Sequence, residues 1–267
     1  MFTFLTNLFR KRKSQLVVSN DLKLLITDVH SHLVPGVDDG APDMTTAIAL
    51  ISRLHNLGFQ RLVITPHIMS DLYPNTPEIL QPRFDELKLE VSKQFPSLQL
   101  ILAAEYFLDT SFIELLENPD KLLTFPCLDV LNGDKHEMLL FEFAFHEAPN
   151  DELLTEAIFK MQTSGITPVL AHCARYPYWH IDRSMLENLH SKGVILTVNA
   201  ATLAGSYGDL ARETAAYAVD RGWIRMVCSD THAPHHIAAV KELETSEILA
   251  QLIESGELLN PGVGQVN

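Results

Sequence analysis

Seven short apolar segments, each followed by a longer stretch with helical character, constrain the fold of this 267-residue chain more than any other feature. The segments are rich in Val, Ile and Leu and do not alternate apolar with polar residues. This pattern is typical of parallel strands that are buried on both faces. The predicted strands are 24–29, 61–66, 98–104, 138–143, 167–171, 194–200 and 224–229.

Glycines end the helical stretches that lie between these strands. The predicted helices include 43–57, 151–164, 182–192 and 207–221, and the glycines that follow them are Gly58, Gly165, Gly193 and Gly222. Glycine adopts the left-handed backbone that stops a helix at little steric cost, so each glycine indicates a helix end shortly before a strand. The alternation of strands and helices predicts a parallel α/β fold.

The segment after the first strand favours a closed barrel over an open sheet. An open doubly wound sheet of the nucleotide-binding type carries a glycine-rich turn at that point, whereas this chain has HSHLVPGVDDG at 30–40. In a parallel barrel the carboxyl ends of all strands converge on one mouth, and polar residues follow most of the predicted strands here. We therefore predict a single TIM-like barrel domain over 21–267, preceded by a tail over 1–20.

Charge and cysteine content exclude several classes of protein. Lys and Arg total 20 against 34 Asp and Glu, and a formal charge of −14 repels nucleic-acid backbones. The three cysteines form an odd set without close pairs, which argues against a disulfide scaffold and favours a reducing, cytoplasmic compartment. No apolar run reaches the ~18 residues that a membrane span requires.

The first 13 residues, MFTFLTNLFRKRK, place their basic residues after the apolar ones. A secretory signal has the reverse order, so we do not expect export. The segment 1–13 is either a weak amphipathic anchor at a membrane surface, here the inner membrane, or a solvated tail. The sequence leaves both interpretations open.

Imidazoles and carboxylates are concentrated at the predicted strand ends. Because these ends converge in a barrel, the carboxylates would be brought together at a high electrostatic cost. Bound divalent cations remove that cost, so the pattern predicts a multinuclear metal site. The candidate ligands are His30, His32, Asp39, His67, Glu105, Glu142, His172, Asp230 and His232.

The chemistry of this donor set indicates which ions it suits. Imidazole and carboxylate ligands without thiolate fit manganese, iron or zinc better than magnesium or calcium. Nine ligands suffice for three ions with positions left for water and substrate. Four carboxylates and three divalent ions leave a local charge of about +2, which favours a phosphate dianion and a bound water that ionises near neutral pH.

Six sequence motifs, in one order along the chain, resemble those of the PHP (polymerase and histidinol phosphatase) superfamily. The likeness is to the bacterial metal-dependent protein-tyrosine phosphatases of capsule and exopolysaccharide operons. It spans about residues 25–260 and implies a distorted (β/α)7 barrel that hydrolyses phosphotyrosine. The motifs are HSHLVPGVDDG (30–40), ITPH (64–67), AAEYF (103–107), LLFEF (139–143), GITPVLAHCARY (165–176) and SDTH (229–232).

The same resemblance implies how the ligands divide among three ions. The implied sets are His30, His32, Glu105 and Asp230 for the first ion; Glu105, Glu142 and His172 for the second; and Asp39, His67 and His232 for the third.

The resemblance also implies a mechanism and a substrate. Arg175 contacts the substrate phosphate and, with Asp230 and His232, forms the expected catalytic set. A hydroxide that bridges metal ions attacks phosphorus in line, and the tyrosine leaves. The implied partner is a phosphotyrosine protein, the tyrosine-rich tail of a membrane-associated bacterial tyrosine kinase of polysaccharide export.

Two departures from the family pattern bear on phosphate binding and on the nucleophile. The family often has a second arginine after the last motif, but here APHHIAAV follows His232, and His235 or His236 is either its substitute or an exposed residue at a helix start. Cys173 invites comparison with cysteine-based phosphatases, which need an arginine six positions later, where this chain has Trp179. We therefore predict that Cys173 is a packed residue.

Other interpretations remain open from the sequence alone. A PHP enzyme for a small phosphomonoester such as histidinol phosphate shares every candidate ligand. A TatD-like nuclease also begins with a histidine pair in a barrel, although the negative charge disfavours it, and a non-catalytic regulatory partner could keep an idle metal site. Tyr176, Tyr178 and Trp179 either stack on an aromatic leaving group or pack the loop after Arg175.

Overall fold

The computed structural model describes residues 19–265. The segment 1–13, for which the sequence suggests either an anchor or a solvated tail, lies outside the described residues. The boundary at residue 20 therefore stays a prediction. Within 19–265, no helix combines the length and the apolar character that crossing a membrane requires.

The described residues form ten strands and nine α-helices, joined by loops and short 3₁₀ turns. The strands are β1 (Thr27–Asp28), β2 (Arg61–Ile64), β3 (His67–Ile68), β4 (Gln99–Leu102), β5 (Glu105–Phe107), β6 (Phe125–Leu128), β7 (Lys135–Glu142), β8 (Ile166–Leu170), β9 (Ile195–Asn199) and β10 (Ile224–Cys228). The helices are α1 (Met44–Asn56), α2 (Pro77–Gln94), α3 (Thr110–Leu115), α4 (Asp151–Thr163), α5 (Ser184–Ser191), α6 (Ala200–Leu203), α7 (Asp209–Asp220), α8 (Pro234–Glu242) and α9 (Glu247–Ser255).

The strands lie in two sheets that continue into one another, and every strand pair is parallel except β6 with β7. The smaller sheet has the order β1-β2-β4, and the larger has the order β10-β9-β8-β7-β5-β3. Strand β3 continues β2 after a break at Pro66, and β5 continues β4. Hydrogen bonds from Ala103 N to Ile64 O (2.9 Å) and from Glu105 N to Pro66 O (3.1 Å) bridge the breaks. Counting each interrupted pair once gives seven parallel strand positions among the described residues.

The first and last strand positions meet beyond their regular parts and close the ring. Ser31 and Thr231 form a parallel bridge. Asp230 N donates to His30 O (2.9 Å), and His32 N donates to Thr231 O (3.0 Å). The predicted distorted (β/α)7 barrel is therefore confirmed, with the two histidine-bearing ends held at the seam.

The structure corrects the sequence prediction in two places. The first strand was predicted over 24–29, but Leu22–Leu25 forms a 3₁₀ turn and the strand is only Thr27–Asp28. Strand β6 runs antiparallel to β7, which the all-parallel prediction missed. The helix-ending glycines are confirmed, since all four have positive φ, from 69° to 108°.

The two-residue period of the strands explains how polar ends face the barrel interior. In β7, Met138 and Leu140 pack inside the barrel with Val63, Val169 and other apolar side chains. Successive side chains on a strand point to opposite faces. Glu142, two residues beyond Leu140, therefore faces the interior at the carboxyl end of the strand. The apolar filling supports a polar layer above it.

Candidate metal centre and active site

All nine candidate ligands lie together at the carboxyl ends of the strands. The ligand atoms of eight of them form three groups, and within each group all atoms lie within 4.8 Å of one another. The ninth, His172, joins the cluster through its Nε2 atom, 3.0 Å from Glu105 Oε1. The groups are His32, Asp39, His67 and His232; His30, His32 and Asp230; and His67, Glu105 and Glu142.

The buried Glu105 carboxylate occupies the centre of the cluster. Its Oε2 atom lies 3.1 Å from His30 Nε2, 3.3 Å from His32 Nε2 and 3.2 Å from His67 Nδ1. Its Oε1 atom lies 3.0 Å from His172 Nε2. One carboxylate from β5 thus contacts four imidazoles from three separate segments of the chain.

Asp39 and Glu142 extend the cluster beyond Glu105, and of the two only Asp39 is exposed to solvent. Asp39 Oδ1 lies 3.5 Å from His67 Nε2 and 3.4 Å from His232 Nε2. Glu142 Oε1 lies 3.1 Å from His67 Nδ1, and its Oε2 lies 3.5 Å from His172 Nε2. His67 therefore connects the central and outer groups.

Asp230 uses its two oxygens for different neighbours. Oδ1 faces the histidine pair, 3.4 Å from His30 Nε2 and 3.6 Å from His32 Nε2. Oδ2 accepts hydrogen bonds from Asn199 Nδ2 (2.7 Å) and Arg175 Nη1 (3.0 Å). One oxygen is thus free of hydrogen-bond donors other than the histidines, whereas the other orients the carboxylate.

Unusual backbone conformations direct two of these side chains. His172 and Asp230 have φ of 35° and 51°, in the left-handed region that non-glycine residues rarely adopt. Each lies two residues beyond the end of a strand, where the chain leaves the regular pleat. Left-handed residues of this kind concentrate at functional sites, where the surrounding structure compensates for the strain.

Electrostatic coupling inside the cluster is strong. Burial disfavours the charged form of His67, yet Glu105 and Glu142 raise its pKa to about 10. Burial likewise opposes ionisation of Glu105, but His30 and His67 lower its pKa well below the usual range. A hydrogen bond from His232 lowers the pKa of Asp39 to about 2. The carboxylates thus favour positive charge at the positions that the imidazoles surround.

The donor set fits divalent metal ions. Each of the three groups combines imidazole nitrogens with carboxylate oxygens, the mixture that manganese, iron and zinc accept. Within the described residues, the Nδ1 atoms of His30, His67 and His172 are buried and make no hydrogen bond. The Nδ1 atom of His67 nevertheless lies within 3.2 Å of two carboxylates, those of Glu105 and Glu142. Several cross-contacts of 3.3–3.6 Å are too long or misaligned for hydrogen bonds but suit ligands around a shared ion.

Asp38 and Asn199 support the ligands from behind. Asp38 Oδ2 lies 2.9 Å from His32 Nδ1 and accepts a hydrogen bond from His67 N at 3.1 Å. Such carboxylate–imidazole contacts fix the orientation and the tautomer of a ligating histidine. Sequence reasoning placed Asp38 in this loop without giving it a role. It missed Asn199, although this residue ends β9 and the strand-end rule applies to it equally.

The aromatic residues after Arg175 pack the loop. Tyr176 is fully buried and its hydroxyl accepts a hydrogen bond from Phe143 N (3.2 Å), while the Tyr178 hydroxyl donates to Ala144 O (3.0 Å). Trp179 is also buried, against Tyr176. The packing interpretation of these three residues is therefore favoured over contact with a leaving group.

His236 does not replace the family's second arginine. Its Nδ1 accepts hydrogen bonds from His232 N (3.1 Å) and Ala233 N (3.3 Å) at the start of α8. Burial, together with the nearby His235 and His232, lowers its pKa to about 4. His236 is thus neutral near pH 7 and caps the helix, whereas His235 is exposed at the helix start.

The cluster opens onto a pocket of about 340 Å³ at the barrel mouth. Arg175 borders this pocket, and its guanidinium carbon lies 4.5 Å from the ring centre of Phe145 and 4.3 Å from that of Tyr207. Nothing in the sequence singled out these two rings. The lining includes Asp39, His67, Glu142, Phe145, Arg175, Tyr207, Asp230, His232, His235 and His236.

Cys173 has the environment of a packed residue, as predicted. It is fully buried, and burial raises the pKa of its thiol well above the ordinary value. We expect Cys173→Ala to retain the phosphatase turnover that the sequence resemblance implies while losing about 1–2 kcal/mol of unfolding free energy through the small cavity. Steady-state kinetics and chemical denaturation check this. Loss of turnover in a folded Cys173→Ala protein would restore a thiolate mechanism.

Gly40 allows the first loop to lie against His32. A Cβ atom at position 40 would lie 2.1 Å from His32 O and 2.5 Å from His32 Cβ. We expect Gly40→Ala to displace His32, to lower metal content and to cost about 1–3 kcal/mol of stability. Elemental analysis and thermal unfolding measure these effects.

Gly133→Ala is the matched control for Gly40→Ala. Gly133 has φ of +79° and open space around its Cβ position, so its substitution brings backbone strain alone. Equal metal content in the two variants would contradict the account given for Gly40.

Comparison with known proteins agrees with this geometry. Tyrosine-protein phosphatase YwqE of Bacillus subtilis is 28% identical over 240 residues, which cover 87% of this chain and 90% of YwqE. Tyrosine-protein phosphatase CpsB of Streptococcus agalactiae is 26% identical over 210 residues, covering 77% of this chain and 82% of CpsB.

A solved structure and a family match extend this comparison. Crystal structures are known of YwqE from Bacillus subtilis and CpsB from Streptococcus pneumoniae, which are described as metal-dependent tyrosine phosphatases. One chain from these structures superposes on the present chain with a TM-score of 0.70 and 25% sequence identity. The superposition covers 88% of this chain and 94% of that chain. The family described as capsular polysaccharide synthesis, CpsB/CapC, matches residues 26–248. This chain belongs to the CpsB/CapC family of capsular polysaccharide synthesis proteins.

Proposed function

We propose that this chain is a metal-dependent protein-tyrosine phosphatase, a phosphoric monoester hydrolase of capsule or exopolysaccharide synthesis. The observation that carries the proposal is the cluster of nine imidazoles and carboxylates, five of which line a pocket that Arg175 also borders. Relatives that cover most of this chain are named tyrosine-protein phosphatases, which supports the same reaction.

Three groups of ligand atoms support three ion positions, although their membership differs from the sets implied by the sequence resemblance: His67 rather than His172 groups with Glu105 and Glu142. The proposed sets remain those implied by the sequence resemblance, and the short contacts of Glu105 with His30 and His172 agree with a carboxylate shared by two ions. Manganese is the proposed metal, with iron or zinc as alternatives of the same ligand chemistry. Bound ions would supply Lewis acidity towards the phosphate ester and hydroxide near neutral pH.

The protein's own groups bind and orient the phosphoryl group. Arg175 carries a permanent charge and a planar set of donors that matches phosphate oxygens. Its Nη1 contact with Asp230 positions it beside the cluster. His232 and Asp230 form the other proposed members of the catalytic set, at the pocket wall. A tyrosine phenolate, with a pKa near ~10, leaves without much need for a general acid.

The proposed substrate is phosphotyrosine on a protein, specifically a membrane-associated bacterial tyrosine kinase. The open position of the pocket at the barrel mouth supports a phosphotyrosine presented on a protein chain. A cytoplasmic location follows from this substrate, with residues 1–13 as a candidate contact with the inner membrane. No nucleic-acid substrate is proposed, because the charge of −14 opposes phosphate backbones.

The decisive experiment combines elemental analysis with substrate comparison. Purified protein is assayed with p-nitrophenyl phosphate, a phosphotyrosine peptide, histidinol phosphate and single-stranded DNA, before and after chelation. We expect stoichiometric transition metal, turnover of both aryl phosphates and loss of turnover after chelation. Preferred hydrolysis of histidinol phosphate would favour a small-molecule phosphatase, and cleavage of DNA would favour a nuclease. Metal-replete protein without any turnover would indicate a regulatory partner.

A further inference from the structure

Arg175 is held in place by two aromatic rings from separate loops. Phe145 follows β7 and Tyr207 follows α6, and each ring centre lies within 4.5 Å of the guanidinium carbon. Arginine stacks on aromatic faces through attraction between its charge and the ring electrons. Both rings border the pocket that several candidate metal ligands also line. Arg175 thus contacts two aromatic rings at the site where phosphate is proposed to bind.

A third contact fixes one edge of the same guanidinium. Arg175 Nη1 donates to Asp230 Oδ2 at 3.0 Å, and Asn199 Nδ2 donates to that oxygen at 2.7 Å. Asp230 is therefore oriented even without the arginine. One nitrogen is anchored and two rings lie against the guanidinium. The side chain is still 24% exposed, and Arg175 retains other N–H donors for a ligand in the pocket.

We propose that Phe145 and Tyr207 are positioning residues that hold Arg175 in the orientation in which it binds phosphate. The inference rests on the proposed function in one respect, namely that Arg175 contacts the phosphate. An arginine at an open pocket would otherwise occupy several rotamers and lose conformational entropy when the ligand binds. Packing the guanidinium beforehand lowers this cost, which is the general advantage of preorganised sites.

A rival role for the two rings is direct contact with the phenyl ring of phosphotyrosine. The contacts with Arg175 favour the positioning role, because the guanidinium already occupies ring surface in the structure. The two roles differ in what they predict for small alkyl phosphates and for proteins without the arginine. An experiment can therefore separate them.

The test measures kcat and KM for a phosphotyrosine peptide and for ethyl phosphate in Phe145→Leu and Tyr207→Leu. We expect each substitution to reduce kcat/KM about 5- to 30-fold for both substrates, because the arginine–ring attraction is lost. Tyr207→Phe keeps the ring and should restore most of the loss. The matched control is Phe159→Leu, which removes a ring that is 64% exposed on the surface of α4. Its kcat and KM should equal those of the wild type.

A double-mutant comparison shows whether the rings act through Arg175. In an Arg175→Ala background, Tyr207→Leu should cause no further loss, since the residue that it positions is gone. A loss that persists in this background, or one confined to the aryl substrate, would overturn the positioning role and favour direct contact with the substrate ring.

Inorganic phosphate gives a readout that needs no turnover. Isothermal titration of the metal-loaded protein with phosphate should show weaker binding for Tyr207→Leu, by about the same factor as kcat/KM, with unchanged metal content and melting temperature. Wild-type phosphate affinity in Tyr207→Leu and Phe145→Leu would overturn the inference. Absence of aryl-phosphate turnover in the wild type, with phosphate binding still dependent on the rings, would contradict the proposed function and leave the inference supported.

Discussion

Glu105→Gln should lose bound metal and at least about 1000-fold of phosphotyrosine turnover, equivalent to about 4 kcal/mol. Glu105 contacts four of the five clustered imidazoles through its two oxygens and is the proposed shared ligand of two ions. Glutamine keeps the shape of the side chain but removes the negative charge, and its amide nitrogen does not bind metal well. Elemental analysis and kinetics on the same preparation measure both losses.

The matched control for Glu105→Gln is Glu254→Gln, an identical exchange on the exposed surface near the end of α9. It should retain metal and turnover, because surface substitutions without buried partners have small effects. If Glu105→Gln retains full metal content and turnover, the central ligand assignment is wrong. Circular dichroism confirms that both proteins are folded when they are compared.

Arg175→Ala should keep its metal and its fold but lose about 30- to 1000-fold of turnover, or about 2–4 kcal/mol of transition-state stabilisation. The metal remains because Asn199 still donates to Asp230 Oδ2 at 2.7 Å after the arginine is removed. Arg175→Lys should recover only part of the rate, since a point charge cannot match the planar donors of arginine. Steady-state kinetics with metal-replete proteins provide the measurement.

Arg221 offers a control for the removal of a stacked arginine. Its guanidinium carbon lies 3.4 Å from the ring centre of Tyr217, and the residue is exposed at the end of α7. Arg221→Ala should therefore leave metal content and turnover at the wild-type level. Wild-type turnover in a metal-replete Arg175→Ala protein would refute the proposed phosphate contact.

The barrel and the position of the cluster could be predicted because local patterns determine them. Short runs such as 167–171 and 224–229 are buried strands, and glycines such as Gly165 and Gly222 end helices by backbone conformation alone. A parallel barrel then brings every strand end to one mouth. For this reason nine polar residues that are far apart in sequence could be expected to meet.

Local patterns failed where distant segments decide the conformation. Residues 24–29 have the composition of a strand. Leu22–Leu25 nevertheless form a 3₁₀ turn, and the side chains of Leu22 and Leu25 are buried in the hydrophobic core. Strand β6 pairs antiparallel with β7 over Phe125–Leu128, a four-residue segment whose composition did not identify it as a strand. Tertiary packing overrides propensity in short segments, because each carries too little local preference to resist it.

The sequence by itself determined the type of fold and identified the nine candidate ligands and Arg175, because each depends on residue type and on strand-end position. Only the tertiary structure decided which side chains support them. Asn199 contacts Asp230, and Phe145 and Tyr207 contact Arg175, each across 30 to 32 positions of the chain, and no sequence periodicity indicates such contacts. Strand order and helical period are local properties of a chain, whereas the orientation of a guanidinium depends on loops that meet only after the barrel has closed.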